Sequence, residues 1–328
     1  MEKIRMGILG AGRIMDRVIV DMHNAKKITV TAIAARELSR ARTAADRYGV
    51  PLAYGSYEEL AESDQVDLVY IATPHPLHAE QAVRMMRAGK HVLCEKPMTV
   101  TPEEARLMID CARENKVFLM EAMWTRFTPA MKEALRQIRE GAIGEVRHVY
   151  GDFSYYNSNP DPADRVFAPE LAGGALLDLG VYPLMACTSL LGADPEQVHA
   201  VCRKTEQGVD MRTCVQMMYA DGKTAQFMCG MDASCDNTLR ILGTKGFIVM
   251  PEFWHPWAFT LYQNGAEPRA FTFAQEHEGH HYEFDHAAEC ILGGLTESPV
   301  VPLSESLQVS ELCTRARHDM GIFYPSER

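Results

Sequence analysis

Along residues 3–122, short apolar runs alternate with stretches in which apolar positions recur every three or four residues, and this alternation sets the predicted elements. Residues 3–9 are predicted as a strand, 13–25 as a helix, 28–35 as a second strand and 37–48 as a second helix. Ser56-Tyr57-Glu58-Glu59 has the spacing of a capping box and opens a short helix. A buried-type strand follows at 67–72, a helix at 77–88 and a brief strand at 91–94. Thr101-Pro102-Glu103-Glu104 joins an N-cap to a first-turn proline and starts a helix reaching about Asn115, with a last strand at 117–122. Strand and helix in strict alternation predict a doubly wound parallel sheet.

The pattern changes near Met123. A helix is predicted at 128–140 and a long strand at 145–156, then a Pro- and Asp-rich loop at 157–172. Gly173-Gly174 releases a helix over 175–191. Strands dominate afterwards, with hairpin signals at Asp221-Gly222 and Asn264-Gly265 and a further turn at Gly243-Thr244-Lys245-Gly246. Two helices close the chain, at about 281–293 and 304–320. The expected division is therefore an α/β domain over 1–122 and an α+β domain over 123–328 built on a large, mainly antiparallel sheet. Such a sheet needs its second face covered, which favours a homodimer.

Composition narrows the partners. The formal charge of −11 disfavours nucleic acid and anionic membranes, so an anionic ligand needs a local site instead of a general field. Nine scattered cysteines without a C-x-x-C fit reduced thiols better than a disulfide framework. With no apolar signal-peptide core and no run taken as long enough to span a bilayer, the expectation is a cytoplasmic protein.

The candidate chemistry falls where predicted strands end, the rim on which open parallel sheets bind ligands. Gly10-Ala11-Gly12 turns the first strand into a helix, and the free amides around Arg13 and Ile14 suit a pyrophosphate. The third glycine of the dinucleotide fingerprint is replaced by Met15. Arg36, 24 residues after Gly12 (36 − 12), stands where an NAD site presents an acid to the ribose. An arginine there suits a 2′-phosphate and hence NADP, with NAD still possible. Thr73, Pro74, His75 and His78 follow the third long strand, and Glu95-Lys96-Pro97 the next. Two histidines without a third ligand are read as cofactor and substrate contacts, not as a metal site. The His277-Glu278-Gly279-His280-His281 segment, with Asp285 and His286, matches no zinc spacing and is read as a solvated helix start. Asp178 and Tyr182, four apart in one helix, share a face. A phenol is a poor base near neutrality unless a cation lowers its pKa, and Lys96 could be that cation if the two domains close over one cleft.

These stretches together resemble the large oxidoreductase family typified by glucose-fructose oxidoreductase and inositol dehydrogenase, the Gfo/Idh/MocA family. The matching elements are Gly7-Ile8-Leu9-Gly10-Ala11-Gly12, Glu95-Lys96-Pro97, the run Gly173 through Tyr182 and Gly243-Thr244-Lys245-Gly246. Glu121-Ala122-Met123-Trp124-Thr125-Arg126-Phe127 is most similar to the branch of dimeric dihydrodiol dehydrogenases and NADP-dependent D-xylose dehydrogenases. The resemblance implies an N-terminal Rossmann domain and a C-terminal substrate and dimerisation domain. It implies that Lys96 orients substrate and nicotinamide ribose, Asp178 positions substrate and Tyr182 exchanges the proton. Trp124, Arg126 and Arg165 are the further candidate substrate contacts. The substrate class it implies is a sugar, polyol or trans-dihydrodiol. Two alternatives stay open: a glycosidase working through transient oxidation with a retained cofactor, and a dinucleotide-binding regulator without turnover.

Overall fold

The computed structural model describes residues 3–161, 164–192, 194–275 and 277–327. In chain order the first elements are β1 (Ile4–Leu9), α1 (Met15–Asn24), β2 (Ile28–Ala34), α2 (Leu38–Tyr48), β3 (Leu52–Tyr54), α3 (Tyr57–Glu62), β4 (Leu68–Ile71), α4 (His78–Arg87), β5 (His91–Glu95), α5 (Pro102–Asn115) and β6 (Leu119–Ala122). Their strands form one parallel sheet in the order β3-β2-β1-β4-β5-β6. That is the dinucleotide-binding order, with its switch point between β1 and β4. The middle strands are buried on both faces, as Met6, Ile8, Leu9, Leu68 to Ile71 and Val92 to Cys94 are all without exposure. Only β3 lies outside the predicted strands, because three residues are too few to carry a periodic signal.

After β6 come α6 (Pro129–Arg139), β7 (Val146–Ser154), α7 (Val181–Leu191), β8 (Gln197–Lys204), β9 (Asp210–Met218), β10 (Thr224–Gly230), β11 (Leu239–Gly243), β12 (Gly246–Met250), β13 (Ala258–Gln263), β14 (Arg269–Thr272), α8 (His281–Leu292) and α9 (Leu303–Asp319). The eight strands form a second sheet, β14-β13-β12-β11-β7-β10-β9-β8, antiparallel except where β7 pairs with β10. Its inner face is apolar, carrying Val198, Ala200, Val215, Phe227, Val149, Ile241, Ile248 and Leu261. The segment Pro169–Leu191 is apolar enough to cross a membrane by length and composition, but 78% of its most apolar window is buried inside the protein, as befits a core helix.

The compact units do not follow the expected division at residue 122. One gathers Met1–Thr99, Glu103–Phe127 and Glu276–Ser306; the other gathers Val100–Pro102, Thr128–Gln275 and Leu307–Arg328. The chain returns to its first unit through α8, which packs on α1 and β2. An amphipathic helix reads the same whichever core it covers, so periodicity alone cannot assign α8.

The segment before α8 is also not the solvated start expected of it. Asp21 of α1 is wholly buried and accepts from the His280 amide at 2.8 Å and from His280 Nδ1 at 3.2 Å, while His280 and His281 are themselves buried. Burial pushes the Asp21 carboxyl up, but the hydrogen bonds from His280 and His281 outweigh it and hold the group well below the usual carboxylate range. No group of three or more His, Cys, Asp or Glu side chains is arranged to hold a metal ion among the described residues.

Candidate active site

In the first unit, the β1–α1 turn is built for close approach. Gly10 has φ of 105°, and a Cβ there would lie 3.0 Å from the Ala72 carbonyl oxygen and from Thr73 Cγ2. Gly12 needs no such exemption, since its Cβ would meet the same oxygen at 3.5 Å, an ordinary contact. The space it leaves open lies beside the start of α1, where Ile14 at the N-cap makes no side-chain capping bond. The Met15, Asp16 and Arg17 amides bond back to the Gly12, Arg13 and Ile14 carbonyls, so an anion meets this end through the helix dipole and the glycine turn before it, and the residues fit a dinucleotide pyrophosphate.

Arg36 is exposed just past β2 and outside α2, which begins at Leu38 with Glu37 as its N-cap. Burial raises the Tyr57 hydroxyl, and the charges of both Arg36 and Arg40 pull it back, so the two guanidinium groups share one neighbourhood. Arg40 also lines a pocket of about 300 Å³ with Ala11, Ser39, Thr43 and Arg47, directly beside the glycine turn.

The next two strand ends are tied together by His78. This ring is fully buried, with Nε2 2.8 Å from the Thr73 carbonyl oxygen and Nδ1 3.0 Å from that of Pro97. Burial pushes its pKa down, against the pull of both carbonyls. His78 therefore holds the Thr73 and Lys96 loops in place. His75 packs edge-on against it at 5.8 Å, and Thr73 Oγ1 donates to Gln81. Pro74 lies between them at the N-cap of the short turn that His75 opens.

Glu95 ends β5 and takes the Tyr70 hydroxyl on one oxygen and the Lys96 amide on the other, at 3.1 Å. The peptide that follows, Lys96–Pro97, is cis. Beneath this loop, the Met98 amide donates to Glu121 at 2.9 Å. Burial pushes the Glu121 carboxyl up to about 7, and the like charges of Glu305 and Glu95 add to that. Two expected substrate contacts are otherwise engaged. Arg126 is committed to Glu305 and to the Val300 carbonyl, both at 2.9 Å, and Trp124 is buried with its ring stacked 4.2 Å from that of His280. Their partners lie far along the chain, where no local pattern announces them.

In the second unit, Asp178 sits in a π-helical turn, Leu176–Gly180, that passes directly into α7 at Val181. Such turns are rare and concentrate at functional sites. Arg165, from the loop at 157–172, bonds Asp178 Oδ1 at 2.9 Å and orients it; residues 162 and 163 of that loop lie outside the described residues. Tyr182 follows one turn later, buried edge-on to Phe153 at 5.4 Å. The pairing of Asp178 with Tyr182 is legible in the sequence. The π turn that carries it, and the buried Asp210 behind it, are not.

Known proteins give the same account. Residues 4–123 match the model of an oxidoreductase family with an NAD-binding Rossmann fold, and residues 131–249 match the Gfo/Idh/MocA C-terminal domain. The trans-1,2-dihydrobenzene-1,2-diol dehydrogenase of Mus musculus is 38% identical over 334 residues, covering 99% of each chain, and the Homo sapiens enzyme is 36% identical over 336. Among solved structures, a 3-ketoreductase from Actinomadura kijaniata in complex with NADP and TDP-benzene aligns with a TM-score of 0.86 at 31% identity, over 97% of this chain and 98% of that one. An aldose-aldose oxidoreductase from Caulobacter crescentus aligns with a TM-score of 0.86 at 28% identity, over the same shares. With a glycine turn on an uncapped helix in one unit and an Arg-oriented Asp beside a Tyr in the other, the chain belongs to the Gfo/Idh/MocA family of NAD(P)-dependent oxidoreductases acting on hydroxyl and carbonyl groups.

Proposed function

We propose that the protein is an NADP(H)-dependent oxidoreductase that moves a hydride between the nicotinamide and a carbon bearing a hydroxyl or carbonyl on a sugar, polyol or trans-dihydrodiol. The observation that carries this reading is the Arg165–Asp178–Tyr182 constellation on the π turn, a charged hydrogen-bonding group and a proton-exchanging phenol one turn apart. When bound, the nicotinamide supplies the hydride acceptor or donor. The chain supplies the rest. Gly10, Gly12, Arg13 and Ile14 receive the pyrophosphate, and Thr73, Pro74 and His75 line the adjoining strand end. Lys96, held by Glu95 and by the His78 staple, orients the substrate and the nicotinamide ribose. Asp178 holds a neighbouring hydroxyl, and Tyr182 takes or returns the proton.

The preference for NADP rests on Arg36 and Arg40, whose shared neighbourhood beside Ala11 suits a 2′-phosphate. The substrate class draws on the relatives named for dihydrodiols and aldoses. The nine cysteines, none in a disulfide, fit a reducing cytoplasm. We also propose a homodimer through the open face of the second sheet. There the pairing register brings Val201, Cys214, Met218, Tyr150, Phe247 and Tyr262 onto one side, with Val201 70% exposed. Sedimentation at micromolar concentration should give twice the 36.7 kDa chain mass, and an active monomer would remove this proposal.

Tyr182→Phe tests the chemistry. Turnover should fall by about two to four decades while NADPH binding is kept, the scale of a lost general acid-base. Near-normal turnover with an unchanged pH profile would overturn the assignment. Steady NADPH change with a free sugar or diol also separates this reading from a glycosidase that retains its cofactor.

A further inference from the structure

The turn that carries Asp178 and Tyr182 is anchored from behind by groups that take no part in the proposed chemistry. Asp210, the first residue of β9, has no exposure at all. Its Oδ2 accepts from the Leu176 amide at 2.7 Å and from Thr213 Oγ1 at 2.7 Å, so a side chain 34 residues away caps the first residue of the π turn. Its Oδ1 is buried without a hydrogen-bond partner among the described residues and faces Gly174, where any Cβ would collide with it. Gly174 has φ of 123°, and at Gly173 a Cβ would come within 2.7 Å of the Arg165 and Val166 backbone.

The C-terminal segment closes the anchor. The Tyr324 hydroxyl donates to the Gly173 carbonyl, and the Tyr324 ring lies beneath the Arg317 guanidinium, 4.7 Å from its centre. Arg317 is itself unexposed. It is fixed by Glu327 through two bonds at 2.6 and 3.1 Å and by the Val100 carbonyl at 3.1 Å. The same Glu327 accepts from the Tyr324 amide at 2.7 Å. Two independent restraints, one from β9 and one from the end of the chain, thus converge on the two glycines that precede Asp178.

We infer that Asp210 and Tyr324 are positioning residues for the reaction: together they fix the start of the π turn, and through it the placement of Asp178 and Tyr182. The inference rests on the roles given to those two residues under Proposed function. A misplacement of about 1 Å at a reacting group costs on the order of a hundredfold in rate, whereas cofactor affinity, set by other residues, is untouched. The Asp210 carboxyl acts through the two hydrogen bonds that its Oδ2 accepts, and burial pushes its pKa up against their pull.

The test compares Asp210→Ala, Asp210→Asn, Tyr324→Phe and Glu327→Gln with the parent, each assayed well below its unfolding temperature and normalised to NADPH-binding sites. Asp210→Ala and Tyr324→Phe should lower kcat by about ten- to a hundredfold with the KM for NADP+ unchanged. The deuterium isotope effect on kcat should rise, and amide exchange across residues 176–182 should accelerate by about tenfold or more. Asp210→Asn, which keeps the acceptor, should stay within about threefold of the parent. A lower unfolding temperature with kcat per folded site and isotope effect unchanged would reduce the anchor to ordinary stability and overturn the inference. Asp210→Asn as impaired as Asp210→Ala would overturn the acceptor role. If the first two substitutions yield no folded protein, Glu327→Gln decides, since it weakens the contacts that hold Arg317 and the Tyr324 amide. Faster exchange at 176–182 with a several-fold loss of kcat supports the inference; neither overturns it. A fully active Tyr182→Phe would bring down the proposed function itself, whereas a dead Tyr182→Phe beside normal Asp210→Ala and Tyr324→Phe would remove this inference alone.

Discussion

Two glycine turns open helices in this protein, one in each unit, and they are used in opposite ways. Gly10-Ala11-Gly12 leads into α1 with no side-chain cap at Ile14, and the Met15, Asp16 and Arg17 amides bond back only to the Gly12, Arg13 and Ile14 carbonyls of the turn itself. Gly173-Gly174 leads into the π turn, whose first amide is capped by Asp210 and whose preceding carbonyl is held by Tyr324. In the first turn Gly10 makes way for Ala72 and Thr73, but the side chain missing at Gly12 leaves open space. In the second the missing side chains leave room for the protein's own backbone and for a buried carboxylate. On the function proposed above, the same sequence signal marks a binding loop in one place and a rigid mount for Asp178 and Tyr182 in the other.

That contrast breaks most readily at the glycines themselves. Gly174→Ala puts a Cβ on Asp210 at a left-handed φ, and should cost about 3 kcal/mol or more, seen as a large loss of denaturation midpoint or of soluble protein. Gly12→Ala meets only an ordinary contact at 3.5 Å and should leave the midpoint nearly unchanged while raising the KM for NADP+ by about tenfold or more. Equal effects of the two changes on stability would abolish the distinction between the turns.

Arg36→Asp probes the ligand-facing turn more finely. A charge-assisted contact to a 2′-phosphate is worth about 1.5–3 kcal/mol, so the NADP over NAD preference in kcat/KM should fall by roughly ten- to a hundredfold, chiefly through KM. No change would mean that Arg36 only precedes its helix.

The smallest expected effect lies beneath the Lys96 loop. Glu121 has a folded pKa of about 7, above its unfolded value, so its contribution to stability is fully present below the ordinary carboxylate range and is lost as pH rises through about 7. Glu121→Gln keeps an acceptor for the Met98 amide and should match the parent near pH 4. By pH 8 it should be more stable by about 1–2 kcal/mol. A pH-independent difference would mean that the carboxyl is not held neutral.

Much of the fold and part of the site are legible in the amino-acid sequence. The parallel sheet follows from strand and helix alternation, and every long strand of the first unit lies where its apolar run predicts. Gly10, Lys96, Asp178 and Tyr182 can be found because each stands at a strand end or helix face that local pattern locates. The sequence points His78 and Arg126 towards ligands, because a histidine or arginine near a strand end looks the same whether it faces a substrate or a carbonyl. Only their partners, Pro97, Thr73, Glu305 and Val300, give them structural roles.

What the sequence determined by itself, then, is local: periodicity, turn glycines, the residues placed at the rim and the family to which their spacing points. Tertiary structure alone decided which α-helix joins which core, which buried acids find donors and which glycine gap is filled by the protein. Asp21 meets His280 across 259 residues and Asp210 meets Leu176 across 34. Contacts at such separations depend on how whole elements pack, and no window along the chain contains both partners. The physical reason is that a buried polar group must be matched wherever the fold happens to place its partner.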